Sequence, residues 1–124
     1  MGDLTNNFSR SEFACNCGCG FDTVDVETLE VLQDVCDHFA EVLFVSKVVA
    51  YVTSGCRCEA YNSFINGAQG SQHKKARAVD LQIDEVEPVE VYNYLNKKYP
   101  SKYGIGRYST FTHIDTRSGT PARW

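Results

Sequence analysis

Apolar residues recur at helical spacing through Leu29, Leu32, Cys36, Phe39 and Leu43, which predicts the core face of a long amphipathic helix. Asp25 is a good N-cap for it, with Val24 and Leu29 placed as a hydrophobic staple. Residues 48–53 are rich in β-branched side chains and predict a strand, and 58–65 predict a short helix. Asn66-Gly67 and Gly70-Ser71 mark a loop. In 79–83, Val79, Leu81 and Ile83 alternate with Asp80 and Gln82, the pattern of a half-buried strand with one polar face. Glu87-Pro88 opens another helix with proline at its first position, packed through Val91, Tyr92, Leu95 and Tyr99 and ended by Pro100. Residues 103–108 and 111–116 read as two strands joined at Ser109-Thr110, a hairpin-like pair. Residues 1–22 carry no period and predict mostly irregular backbone anchored by Phe8 and Phe13. The sum is α+β, with helices packed on a small, largely antiparallel sheet.

Length and charge narrow the classes. The 124 residues suit one domain, 1–124, and such a chain buries about two-thirds of its extended surface on folding. Twelve basic and sixteen acidic residues give a net charge of −4, which argues against nucleic acid as a partner. The most apolar run, 42–52, is broken by Ser46 and Lys47 and is too short to span a bilayer, so no membrane partner is expected. The first residues lack the basic and apolar regions of a signal peptide, so the chain is expected to be made in the cytoplasm. Gly104-x-Gly106 lacks the third glycine and the following helix of a nucleotide-binding loop. Nothing in the pattern demands a second subunit, and a monomer is expected.

The candidate chemistry lies in two stretches. Ser71 to Asp80 holds His73 and Asp80, seven positions apart, and Phe111 to Asp115 holds His113. Two imidazoles and a carboxylate are good ligands for a borderline-soft divalent metal. Three protein ligands leave a fourth position for water, the mark of a catalytic zinc site. His113 and Asp115 are two apart, which on a strand puts both on one face about 6–7 Å apart along the chain. The competing reading is that these are hydrogen-bonded structural histidines. His38 sits beside the apolar helix face and reads as a partly exposed helix residue. Lys74, Lys75 and Arg77 form a basic patch that either attracts carboxylates or is a solvated loop.

Six cysteines are many for a cytosolic protein, and five fall in two clusters, Cys15-x-Cys17-x-Cys19 and Cys56-x-Cys58. Free thiols, disulfides between the clusters, and a second, structural zinc all fit. The spacing is not the Cys-x2-Cys of zinc ribbons, which weakens the zinc reading. A reducing cytosol favours thiols. Work outside the cell favours bridges, or thiol–thiol proximity, between 15–19 and 56–58.

Ser71-x-His73-x6-Asp80 with the later His113 resembles the zinc D-alanyl-D-alanine carboxypeptidase family, which also holds vancomycin-resistance dipeptidases, phage endolysins and other murein peptidases. Ser54-Gly-Cys-Arg57, Tyr61-Asn62, Gly67-Ala68, Gly104-Ile-Gly106 with Tyr108, and Ala122-Arg-Trp124 extend the resemblance. Phe13-Ala-Cys-Asn-Cys-Gly-Cys-Gly20 is similar to its small, single-domain branch. The resemblance implies Zn²⁺ held at the sheet by His73, Asp80 and His113. It implies Arg57 as the cation facing the oxyanion, with Ser71 and Tyr108 contacting substrate. The substrate implied is a peptidoglycan peptide, cut at a bond involving a D-residue. A chain without a signal would reach the wall after lysis, through a holin pore or from a phage particle. Many relatives carry an acid three residues before the last histidine, where this chain has Thr110. Asp115 is then the candidate proton carrier, or an orienter of water or of a ligand. Ala76 stands where relatives often have Gly, tolerable unless the backbone needs a positive φ. The alternative is a zinc-containing binding or structural domain that no longer cuts.

Overall fold

A computed structural model describes residues 2–124. A five-stranded sheet runs in the order β1-β2-β4-β3-β5, with β1 at Ala50–Ser54, β2 at Ala78–Ile83, β3 at Gly104–Arg107, β4 at Thr112–Asp115 and β5 at Ala122–Arg123. Neighbours are antiparallel except β3 and β5. Helix α1 covers Val26–Leu43, α2 Glu59–Phe64 and α3 Pro88–Lys98, and 3-10 turns lie at Arg10–Phe13 and Gln72–Lys75. The α+β architecture is the expected one.

Local chemistry accounts for the helix ends. The Asp25 side chain accepts from the Glu27 N–H, satisfying a donor that the first turn leaves open. Pro88 occupies the first turn of α3, where its missing N–H is not needed. Leu32, Cys36 and Phe39 are buried as the helical period requires, with Val31 and Val35 beside them, while Leu29 and Leu43 are partly buried. His38 stacks on Tyr94 at 3.9 Å between ring centroids, on α1 rather than in the ligand group.

One face of the sheet meets the helices. Val79, Leu81 and Ile83 of β2, Ile105 of β3 and Ile114 of β4 join Val35, Phe39, Val91 and Leu95 in one core. Phe8 and Phe13 are fully buried in it, so the irregular N-terminal segment is part of the fold. The alternation of β2 holds, but the strand is not half-exposed. It lies between β1 and β4, and every residue except Gln82 is buried. Its polar face is the floor of a cleft, which leaves Asp80 only 6% exposed.

Candidate metal centre

The face of the sheet opposite the core carries the candidate site. Asp80 of β2 pairs with His113 of β4, and His113 pairs in turn with Gly106 of β3. Directly paired residues in a sheet share a face, so the strand register alone sets Asp80 against His113. His73 comes from the 3-10 turn before β2, where the Ser71 hydroxyl accepts from the His73 N–H at 3.2 Å.

Hydrogen bonds fix both ring tautomers. His73 Nδ1 lies 2.7 Å from the Gly55 carbonyl, which can only accept, so Nδ1 carries the proton and Nε2 presents its lone pair. His113 Nε2 donates to Asp115 Oδ2 at 2.8 Å, leaving Nδ1 as the free lone pair. His73 Nε2 and His113 Nδ1 both face Asp80 Oδ1, at 3.4 and 3.1 Å. Tetrahedral zinc bonded at about 2.0–2.1 Å holds its ligand atoms roughly 3.3–3.4 Å apart. All three ligand atoms lie within 4.8 Å of one another. Neutral imidazoles would thus aim two lone pairs at an anionic oxygen, an arrangement that a cation relieves. Burial raises the Asp80 carboxyl, but the hydrogen bonds and charge that His113 and His73 offer when protonated toward it outweigh burial and bring the group to about 2. Burial lowers His113, and its hydrogen bonds to Asp115 and Asp80 reverse that and raise it.

Arg57 completes one wall. A bulge in β1 shifts the register so that Ser54, not Thr53, pairs with Asp80, and bulges beside functional sites commonly re-aim a side chain. Arg57 Nε donates to Ser54 Oγ at 3.2 Å and Nη1 to Asn62 Oδ1 at 3.4 Å. Nη2 lies 3.6 Å from Asp80 Oδ2. Asn62 is itself buried and donates to the Ala68 carbonyl at 2.9 Å. Arg57, Ser71, His73, Asp80, Tyr108 and His113 line a cleft of about 470 Å³.

Asp115 stands elsewhere. It is fully buried and does not line that cleft. The Arg117 guanidinium grips it at two points, Nε to Oδ1 at 2.8 Å and Nη2 to Oδ2 at 2.7 Å. Burial pushes its carboxyl up, but Arg117 and His113 together hold it well below the usual carboxylate range. A carboxylate this committed is a poor carrier of protons, because a general base must reach the reacting proton and have a pKa near the working pH. Of the two roles expected for Asp115, the geometry fits the orienter of His113 and not the proton carrier. Among the described residues Asp80 is the only acidic side chain lining the cleft. Thr110 sits in the β3–β4 turn with its carbonyl accepting from Gln82 Nε2.

Arg117 was not anticipated from sequence, although Asp115-x-Arg117 offered an ion pair at strand spacing. The glycines of β3 acquire a physical reason here. Gly104 pairs with Asp115 and Gly106 with His113, so the carboxylate and the imidazole lie over bare backbone. A Cβ at Gly104 would strike the Asp115 carboxylate. A Cβ at Gly106 would come within 2.6 Å of the Trp124 indole, whose ring lies 4.9 Å from that of His113 and whose Nε1 donates to the Tyr108 hydroxyl. Gly106→Ala is expected to cost about 1–3 kcal/mol, as overpacking does, and to displace Trp124. Urea denaturation and tryptophan fluorescence would register both effects.

Two sequence details resolve plainly. Ala76 does take a positive φ, 58°, ending the turn that carries His73. A left-handed L-residue costs roughly 1–2 kcal/mol, which explains why glycine suits this position. The basic patch is dispersed: Lys74 pairs with Glu59 and Arg77 with Glu27, and none of Lys74, Lys75 and Arg77 lines the cleft. No helix among the described residues is long and apolar enough to cross a membrane.

A family model described as Peptidase M15 matches residues 6–115. No curated protein and no solved structure matches the chain. The match runs from the N-terminal segment through both histidine stretches to Asp115, and its members are zinc-dependent peptidases. The chain therefore belongs to the M15 family of zinc D-Ala-D-Ala carboxypeptidases, the family its residues resemble.

Proposed function

We propose that this protein is a zinc peptidase that hydrolyses a peptide bond, one involving a D-residue, in the stem or cross-link peptides of peptidoglycan. The observation that carries the proposal is the convergence of His73 Nε2, Asp80 Oδ1 and His113 Nδ1 on one point at the floor of an open cleft. Zinc bound there would lower the pKa of a water molecule and polarise the scissile carbonyl. The chain's own residues would do the rest. Gly55 and Asp115 orient the two imidazoles, a support that commonly matters nearly as much as the ligands. Arg57 presents a fixed cation at the cleft wall, placed to stabilise negative charge developing on the substrate carbonyl oxygen. Ser71 holds His73 through its backbone, and both Ser71 and Tyr108 line the path of the peptide.

One observation favours a second reading, a zinc-holding domain that does not cut. Among the described residues the cleft offers no acidic side chain besides Asp80 to take up a proton. The discriminating experiment is incubation of zinc-loaded protein with purified peptidoglycan, followed by mass analysis of the released fragments. The peptidase reading expects new termini at one bond type. Intact stem peptides after prolonged incubation, with zinc bound and the fold retained, would favour the second. The fragment masses would also separate carboxypeptidase from endopeptidase action.

A further inference from the structure

A second group of metal-ligating side chains lies outside the cleft. The sulfurs of Cys15, Cys17, Cys19 and Cys58 all fall within 4.8 Å of one another. Three of the separations are 3.4 Å for Cys15–Cys17, 3.8 Å for Cys15–Cys58 and 3.7 Å for Cys17–Cys58. A zinc ion bonded to four sulfurs at about 2.3 Å sets them roughly 3.8 Å apart along each edge of the tetrahedron. A disulfide would instead draw one pair to about 2.0 Å and break this even spacing. The structure records all six cysteines as free.

The local backbone is built for convergence. Three cysteines at alternate positions of an extended chain would be strung out by about 6–7 Å per pair. Here the chain turns back on itself: Gly18 and Gly20 take φ of 81° and 94°, Gly18 N–H donates to the Cys15 carbonyl, and Cys15 N–H donates to the Phe21 carbonyl. Only glycine enters that region freely. Cys58 comes from across the molecule, as the N-cap of α2. Backbone N–H groups already point at two of the sulfurs, Cys58 N at Cys15 Sγ and Tyr61 N at Cys58 Sγ, both at 3.4 Å. Such donors favour thiolate charge. The other two cysteines are excluded. Cys56 turns its thiol to the carbonyls of Phe13 and Phe21, and Cys36 lies on the core face of α1.

We infer that Cys15, Cys17, Cys19 and Cys58 form a structural four-cysteine zinc site. All four positions of the ion are filled by protein, the closed arrangement of structural rather than catalytic zinc. Binding releases a proton from each thiol. The site clips the loop 15–21 to the segment 55–58, which carries Gly55, the acceptor of His73, and Arg57. Sequence spacing hid the site because the ligands follow Cys-x-Cys-x-Cys plus one distant cysteine, and the fold selects Cys58 over Cys56.

The test uses the full chain under reducing conditions, with bound metal counted after dialysis against metal-free buffer. His73→Ala isolates the inferred site from the cleft and should retain one equivalent of zinc. The double variant C17S/C19S, at two exposed positions, should lose one equivalent relative to the wild type. Cobalt loaded into His73→Ala should give a strong thiolate-to-cobalt charge-transfer band, absent from C17S/C19S carrying His73→Ala. Even if the double variant folds poorly, His73→Ala alone decides the matter. No metal and no charge-transfer band in that variant would overturn the inference. Failure of the peptidase reading would leave these results untouched, because the cleft is disabled in the deciding variant.

Discussion

Arg57→Ala should lower kcat on peptidoglycan peptides by about 10²–10³-fold, the loss typical of removing one oxyanion donor, while zinc at His73, Asp80 and His113 remains. The reason lies in how the guanidinium is held. Ser54 Oγ and Asn62 Oδ1 each take one nitrogen, and the third sits 3.6 Å from Asp80 Oδ2. The group is thus fixed in the cleft wall before substrate arrives, and a preorganised charge needs no rearrangement as the carbonyl oxygen turns negative. A purely structural ion pair to Asp80 would give a different signature: reduced stability and weakened zinc, with turnover per bound zinc unchanged. Arg57→Lys retains charge but loses the fork that engages Ser54 and Asn62 together, and should recover only part of the rate. Turnover per zinc equal to wild type in Arg57→Ala would remove the residue from the reaction.

Asp115→Asn should weaken zinc binding by about 10- to 100-fold, the usual effect of losing a partner behind a metal-ligating histidine. At saturating zinc its kcat should return close to the wild-type value. The amide keeps the shape but no longer holds a full charge against His113 Nε2–H and the Arg117 fork. It also allows the His113 ring to flip or change tautomer, since an amide can donate as well as accept. The alternative role makes the opposite forecast. A proton carrier would lose about 10²–10⁴-fold in rate with zinc still bound, and added zinc would not restore it. Zinc affinity by competition with a chromogenic chelator, paired with kcat across a zinc titration, separates the two outcomes.

Much of this site was legible because short-range rules governed it. The period of β2 put Asp80 on the face away from the core, and the spacing of His113 and Asp115 put them together on β4. The cap at Asp25 and the proline in the first turn of α3 followed from donors that any helix end leaves open. Long-range pairing was not legible. Nothing in the sequence reveals that β2 and β4 are neighbours, which decides that Asp80 faces His113, or that β2 is covered on both sides. Arg117 was missed because a surface-like arginine after a strand has no period, yet it holds both carboxylate oxygens of Asp115. β5 has two residues and carries no pattern at all. The glycines of β3 were visible as a similarity without a cause, and the cause, room for Asp115 and Trp124, exists only once β3 lies beside β4.

The central claim is that His73, Asp80 and His113 hold the zinc on which hydrolysis depends. The most direct test is to strip the protein of metal and titrate zinc back while following cleavage of a peptidoglycan peptide that ends in a D-residue. His73→Ala is carried through in parallel. Wild-type cleavage should be absent without metal and rise to a plateau as the site at His73 fills, and His73→Ala should stay inactive at every zinc concentration. Cleavage by the metal-free protein, or by zinc-loaded His73→Ala at the wild-type rate, would contradict the account.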